Sequence, residues 1–183
     1  TSALTLVLGL LFTGATSDAA VRVAVVNDQN SNTAQDAANQ LNDDTYHDFT
    51  ATVVTPDQVD TPGELANYDV VLLGGSGQGP SNAYTQAFAD AVANWVRAGG
   101  GVVGTGWFVY SINNNAVGQS LNSVFPVTLT DNYNYCDSAG RTQNLTQPNH
   151  AILRNIPDGI SGNPSGSCCL EYATNLNQGG ERL

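Results

Sequence analysis

Three side chains with acid–base or hydroxyl chemistry stand at turns of this chain: Asp28, Thr105 and His150. A carboxylate at the end of a strand can act as an acid or base or bind a metal ion, and histidine is a general base near neutral pH. Asp28 and His150 also have structural uses, because each can cap a turn or a short helix. We treat all three as candidate catalytic residues and keep both interpretations open.

The ends of the predicted strands bring further polar groups to one edge. In an open parallel sheet, ligands bind outside the carboxyl ends of the strands, near the point where the strand order reverses. A ligand-binding rim at that edge would contain Asn27, Asp28, Ser76, Gln78, Thr105 and Trp107. Trp107 is either a stacking platform for a ligand or an aromatic residue of the core, and the core role is the more frequent one.

Two glycine-rich segments resemble nucleotide-binding loops only superficially. Residues 75–79 follow a predicted strand and precede a helix, as a phosphate cradle does, but Pro80 replaces the third glycine and no Walker lysine follows. Residues 99–104 match the letters GxGxxG, yet they follow a helix and open a strand, which is the reverse of a dinucleotide site. We predict a tight turn at residues 75–79, a helix stop followed by a strand at residues 99–104, and no nucleotide cofactor at either place.

Apolar runs alternate with helical patterns in the first half of the chain. The predicted strands are residues 21–26, 49–55, 68–73 and 101–105. The predicted helices are 34–41 after a cap at Ser31 or Asn32, one turn at 64–67, and 84–96 between a cap at Ser81 or Asn82 and a left-handed stop at Gly99. Alternation of this kind implies right-handed crossovers. We therefore expect an α/β fold with a flavodoxin-like, doubly wound, mainly parallel sheet flanked by helices.

The second half has a weaker pattern. A strand is predicted at 124–130, a long polar loop at 131–148, and another strand at 169–174. This half is therefore expected to be irregular, within one domain spanning residues 21–183.

The charge balance excludes some partners. The chain has five basic residues, all of them arginine, against sixteen acidic ones, which gives a net charge of −11. Such a surface repels phosphate backbones and anionic membranes, so we predict no nucleic-acid partner. The absence of lysine and the many asparagines favour an exported protein, and we expect an extracellular or cell-surface location.

The first twenty residues form a separate apolar segment. Residues 4–15 are strongly apolar and small residues follow, as in the core and cleavage zone of a secretory signal. The alternative is an ordered strand at 4–12 that inserts into a neighbouring copy through main-chain hydrogen bonds. Both interpretations stay open, and the second predicts self-assembly, or association with neighbouring domains of a larger surface protein.

The chain has three cysteines, so one thiol remains free if a single disulfide bridge forms. Cys136 lies in the predicted polar loop, and either Cys168 or Cys169 can meet it. A disulfide of Cys136 is favoured over three free thiols, while the spacing and the two histidines do not suit zinc.

Two further sites are weaker predictions. Asn144 begins a sequon for N-glycosylation, which matters in a secreted eukaryotic chain. The acidic and asparagine-rich stretch at 131–137 is a candidate calcium loop, although its two acids are fewer than an EF-hand needs. Otherwise no cofactor is predicted.

Four segments resemble a known family. These are the predicted strand that ends in Asn27-Asp28, residues 68–75, which end a strand in two glycines, residues 95–104, which join a helix to a glycine-flanked strand, and residues 150–153, His-Ala-Ile-Leu. Together they resemble the class I glutamine amidotransferase-like fold, closest to its trehalose-utilisation (ThuA-like) branch. The resemblance spans residues 21–160 and implies one further closing strand, so the chain is expected to be incomplete at its C-terminus or to borrow that strand.

The resemblance also implies a lost nucleophile. In the amidotransferases a catalytic cysteine stands at the turn after the glycine-flanked strand, and the matching position here is Gly106. The ThuA-like branch often has a histidine at this turn, where Trp107 stands nearby. Glutamine amidotransferase activity is therefore not expected.

Two hypotheses follow. The first is a non-catalytic exported or cell-surface domain that acts in binding or self-assembly, with carbohydrate as a candidate ligand. The second is a ThuA-like, sugar-related enzyme, hydrolytic or metal-assisted, that uses Asp28, Thr105 and His150 at the rim.

Overall fold

The first half of the chain forms a parallel sheet. The structure, a computed structural model, describes residues 20–28, 32–43, 45, 48–74, 84–105, 108, 117–126, 132–136, 141–143, 160–162 and 169–173, the last four ranges through their backbone. The sheet contains β1 (Val21–Val26), β2 (Phe49–Val54), β3 (Val70–Leu73) and β4 (Gly101–Gly104), in the order β2-β1-β3-β4. All of its pairings are parallel, which confirms the predicted α/β flavodoxin-like fold.

Helices cover both faces of this sheet. They are α1 (Asn32–Leu41), α2 (Pro62–Leu65), α3 (Gln86–Arg97) and α4 (Gly118–Asn122), with a short 3₁₀ turn at Pro56–Gln58. The chain moves from β1 to β2 in one direction and from β3 to β4 in the other. Right-handed crossovers therefore place α1 and α3 on opposite faces. Within the described ranges, no helix has the length and apolar character needed to cross a membrane.

The alternating side chains of β1 divide the core into two layers. Val23 and Val25 belong to the layer beneath α1, whereas Ala24 and Val26 belong to the layer beneath α3. The α1 layer also contains Ala34, Ala38 and Ala51. The α3 layer is larger and includes Val71, Leu73, Phe88, Val92, Phe108, Leu121 and Phe125. Because both faces of β1 are buried from Val23 to Val26, the apolar sequence of this stretch is the one that a central parallel strand requires.

Two helix starts differ from the predictions. The cap of α3 is Thr85, whose hydroxyl accepts a hydrogen bond from the Phe88 amide at 3.2 Å, so the predicted caps at Ser81 or Asn82 are wrong. The predicted turn at 64–67 begins earlier, at Pro62, because Thr61 and Glu64 form a reciprocal capping box. The left-handed stop at Gly99 is confirmed by its φ of 111°.

The second half contains antiparallel strand pairs. β5 (Asn132–Cys136) pairs with β8 (Cys169–Ala173), and β6 (Arg141–Gln143) pairs with β7 (Ile160–Gly162). The predicted polar loop at 131–148 is therefore wrong where these strands lie. The predicted strand at 124–130 is wrong for residues 124–126, which turn after α4 so that Phe125 is buried in the core.

The stretch predicted as a calcium loop at 131–137 contains the paired strand of residues 132–136. Its two acids, Asp131 and Asp137, lie outside the described residues, so calcium binding stays a prediction.

An ion pair ties β1 to β3 at the amino edge of the sheet. The guanidinium of Arg22 contacts both carboxylate oxygens of Asp69, at 3.0 and 2.8 Å, and the Arg22 amide donates to the same carboxylate at 2.9 Å. Both side chains are about half exposed. Hydrogen bonding to Arg22 lowers the pKa of Asp69 to about 2.

This ion pair predicts a specific acid dependence of stability. The folded pKa of Asp69 lies below its unfolded value of about 3.9, so the stabilisation is present above pH 4 and is lost as the pH falls toward 2. Asp69→Asn should lower the melting temperature at neutral pH, and the difference from the wild type should disappear only below about pH 2, where Asp69 is protonated in the folded protein. The exposed Asp57→Asn is the control. A constant difference across the whole pH range would contradict the prediction.

Candidate functional site

The carboxyl ends of three strands form one row. Val25 of β1 is in register with Leu72 of β3, and Leu73 of β3 with Gly104 of β4. One position further, Val26 is level with Leu73 and Gly104, and the residues that follow these three are Asn27, Gly74 and Thr105. Backbone bonds continue the ladder past the strand ends, because the Asn27 amide donates to Val54 at 2.7 Å and the Thr105 amide to Leu73 at 3.1 Å. This edge lies at the β1/β3 switch point, where flavodoxin-like folds bind ligands.

Asp28 and Tyr84 lie together at this edge. Oδ1 of Asp28 and the hydroxyl of Tyr84 are both buried atoms, and Tyr84 is only 4% exposed. Burial raises the pKa of the Tyr84 phenol, and the negative charge of the adjacent Asp28 raises it further, while the backbone of Gly74 acts in the opposite sense. The Tyr84 phenol is therefore protonated at neutral pH and can donate a hydrogen bond.

Gly74 and Thr105 join the ends of β3 and β4. The Thr105 hydroxyl donates to the Gly74 carbonyl at 2.9 Å and accepts from the Phe108 amide at 3.4 Å. Gly74 has a φ of 78°, and a Cβ on it would lie 2.6 Å from the Phe108 amide nitrogen and Cβ. A side chain therefore has no room at position 74. Thr105 therefore has a structural role, because its hydroxyl links the end of β4 to the end of β3.

Aromatic rings connect this edge to the core. The Tyr84 ring lies 5.2 Å from that of Phe88 and meets the Phe108 ring edge-on at 5.7 Å. Phe108 in turn lies 5.2 Å from Phe125. Because Phe88 and Phe108 are fully buried, these contacts fix the phenol at a definite depth below the edge.

The structure brings together only part of the predicted set. Asn27, Asp28 and Thr105 lie at the same edge. Other candidates fall outside the described residues, namely Ser76, Gln78, Gly106, Trp107, Asn144, His150 and Cys168, and so does the apolar segment 1–19. His150 belongs to the connection between β6 and β7. No group of three or more histidine, cysteine or acidic side chains that could hold a metal ion occurs within the described part of the chain.

Sequence reasoning missed Tyr84 and Gly74. The helix predicted at 84–96 includes Tyr84, but in the structure Tyr84 precedes the cap at Thr85 and interacts with Asp28 and Gly74 at the strand ends. A signal was present, because threonine three residues before an apolar position is a usual N-cap, and the residue before a cap packs back on the helix. Gly74 carried no signal that distinguished it from its neighbour Gly75.

The fold and the position of the site define an α/β flavodoxin-like protein with a candidate ligand site at the switch point. A ThuA-like protein from Bacteroides uniformis, known from a crystal structure at 2.30 Å resolution, is similar over 86% of this chain, with a TM-score of 0.59 and 16% sequence identity. The fold of this chain is therefore ThuA-like. The similarity spans 62% of that protein's length. No protein-family model and no curated protein matches the sequence.

Proposed function

We propose that this chain is an exported or cell-surface binding domain that holds a neutral carbohydrate at the carboxyl edge of its sheet, without covalent catalysis. The observation that carries the proposal is the buried pair of Asp28 and Tyr84 at the β1/β3 switch point. A carboxylate has two oxygens, so Asp28 can accept the single proton of the Tyr84 phenol at one oxygen and hydrogen bonds from ligand hydroxyls at the other. Such an acceptor, oriented by the phenol, suits the hydroxyls of a sugar ring.

The charge distribution supports a neutral ligand over an anion. The net charge of −11 repels anions. The structure describes the side chains of two arginines: Arg22 pairs with Asp69 at the opposite edge, and Arg97 bonds Ser123 and Asn94 beside α4. Neither guanidinium is available near Asp28 to bind a carboxylate or phosphate.

The absence of covalent catalysis rests on two residues at the turn after β4. The resemblance to glutamine amidotransferases places Gly106 at the position of their nucleophile, and glycine has no side chain that can attack an amide. The adjacent Thr105 hydroxyl already donates to the Gly74 carbonyl. We propose that this turn has lost the amidotransferase nucleophile and retains a structural role.

Export is the part of the proposal that rests on composition. The chain has no lysine, and its apolar residues 4–15 resemble a secretory signal. Self-assembly through residues 4–12 remains a prediction.

Titration with neutral sugars tests the binding proposal. Glucose and trehalose would be titrated into the full chain by calorimetry, with Asp28→Asn and Tyr84→Phe as variants. A hydrogen bond to a charged group contributes about 1.5–3 kcal/mol, so Asp28→Asn should weaken binding by roughly 10- to 100-fold. Tyr84→Phe keeps the ring contacts and removes only the donor, and it should cost less.

Asp36→Asn is the matched control, because this exposed residue of α1 undergoes the same loss of charge. Equal affinity of the wild type and Asp28→Asn, or the absence of any heat with either sugar, would contradict the proposal. Formation of glucose from trehalose, abolished by Asp28→Asn, would favour the alternative of a sugar-related enzyme. Ammonia release from glutamine is expected at the buffer rate only.

A further inference from the structure

The strand register places two of the three cysteines directly opposite each other. Cys136 ends β5 and Cys169 begins β8, and they are partners in the antiparallel ladder. We propose that Cys136 and Cys169 form a disulfide bridge and that Cys168 keeps its thiol. This inference rests on the export part of the proposed function, because disulfides persist in oxidising compartments.

The strand register distinguishes Cys169 from Cys168 as the partner of Cys136, a choice that the sequence alone leaves open. Directly opposed residues of an antiparallel pair have Cα atoms about 4.5–5.5 Å apart, which lies within the span of about 4.4–6.8 Å that a disulfide bridges. Cys168 precedes β8, so it is displaced by one position from the partner of Cys136. Successive residues of a strand belong to opposite faces, and a shift of one position therefore removes the match.

The composition of the two faces supports the bridge. Strand alternation assigns Asn132, Asn134 and Cys136, with their partners Ala173, Glu171 and Cys169, to one face of the pair. It assigns Tyr133, Tyr135, Leu170 and Tyr172 to the other. The two cysteines thus share the face to which the register assigns the asparagines and Glu171.

The antiparallel pairs also need a stabilising element. Within the described residues, β5 and β8 form a sheet of two strands, and β6 and β7, which lie between them in the chain, form another. A two-stranded ribbon is marginally stable by itself. A cross-link between Cys136 and Cys169 closes the chain around β6 and β7 and limits the freedom of the unfolded chain.

The oxidation needs an electron acceptor, which is a small-molecule disulfide such as oxidised glutathione. The thiolate of one cysteine attacks the glutathione disulfide and releases one glutathione thiolate. The second cysteine thiolate then attacks the mixed disulfide and releases the other. Two thiols thus lose two protons and two electrons, and one oxidised glutathione becomes two reduced molecules.

Counting thiols in the full chain tests the bridge. The protein would be equilibrated in equal concentrations of reduced and oxidised glutathione, quenched with acid, and alkylated under denaturing conditions before intact mass analysis. We expect one alkylated thiol per chain in the wild type and none in Cys168→Ser. Trypsin, which cuts after Arg141 and Arg154, should yield peptide 98–141 linked to peptide 155–182 unless the sample is reduced.

Variants separate this pairing from the alternatives. Cys136→Ser should show two alkylated thiols, and the linked peptides should survive in Cys168→Ser. Three alkylated thiols in the wild type, or loss of the linked peptides in Cys168→Ser, would overturn the pairing. Sugar titration of the same samples distinguishes the two proposals, since a bridged protein that binds no sugar contradicts only the binding site. A protein that binds sugar with three free thiols contradicts only the bridge.

Discussion

Gly74→Ala is expected to lower the free energy of unfolding by roughly 2–5 kcal/mol and to abolish sugar binding. Two independent costs add at this position. The φ of 78° is a conformation that alanine adopts only with strain, and the new methyl group would lie 2.6 Å from the backbone nitrogen of Phe108. Because a backbone atom cannot rotate away as a side chain can, β3 and the turn after β4 must separate. That movement would break the hydrogen bond from the Thr105 hydroxyl to the Gly74 carbonyl and would shift the strand ends beside Asp28.

Alanine substitutions at two other glycines separate the backbone strain from the steric clash in the loss of stability expected for Gly74→Ala. Gly99 also has positive φ, at 111°, but a Cβ there would meet nothing within 4 Å, so Gly99→Ala carries the backbone strain alone, about 1–2 kcal/mol. Gly63 in α2 has open space and no positive φ, so its replacement by alanine should be neutral or slightly stabilising. Urea denaturation of the three variants gives the comparison. If Gly74→Ala costs no more than Gly99→Ala, the steric argument is wrong.

The second large effect is expected at Phe108. This ring is fully buried, meets Tyr84 edge-on at 5.7 Å, and lies 5.2 Å from Phe125. Phe108→Ala should cost about 3–5 kcal/mol, because it removes a buried ring and leaves a cavity between the site and α4. Sugar affinity should also fall, since Tyr84 loses the ring that fixes it beside Asp28.

Phe108→Leu is the matched control for this prediction. Leucine fills most of the volume but lacks the aromatic edge contact, so the expected loss of stability is below about 1.5 kcal/mol. Calorimetric melting and sugar titration of both variants provide the measurements. An unchanged sugar affinity in Phe108→Ala, with the fold retained, would show that Tyr84 is positioned by other contacts.

The centre of the parallel sheet was predictable because β1 is buried on both faces from Val23 to Val26. That stretch is continuously apolar, and such a run between helical patterns has few other solutions. The strands of the second half could not be predicted in the same way. β5 alternates asparagine with tyrosine, and its partner β8 lies more than thirty residues later in the chain, so no local signal links them. Composition alone made this stretch resemble a polar loop.

The candidate site was only partly predictable for a related reason. Asp28 and Thr105 follow apolar strands, and the rule that ligands bind at carboxyl ends places both at one edge. Tyr84 interacts with Asp28, which lies far from it in sequence, so no local pattern shows this pairing. Its spacing from the apolar residues of α3 equally suited a place within that helix. Position 74 requires glycine because Thr105 and Phe108 lie too close to it for a Cβ atom. These residues come together only when the sheet is assembled, so the sequence near Gly74 does not reveal the requirement.

The packing of Trp95 has an optical consequence. Its indole covers Gly100 so closely that a Cβ on that glycine would collide with the ring, at the amino end of β4. The chain has two tryptophans, so Trp107→Phe would leave Trp95 as the single indole emitter. Its fluorescence would then report the unfolding of the turn between α3 and β4. Because the candidate site lies at the other end of β4, this emission would follow folding without direct contact between the fluorophore and a bound sugar.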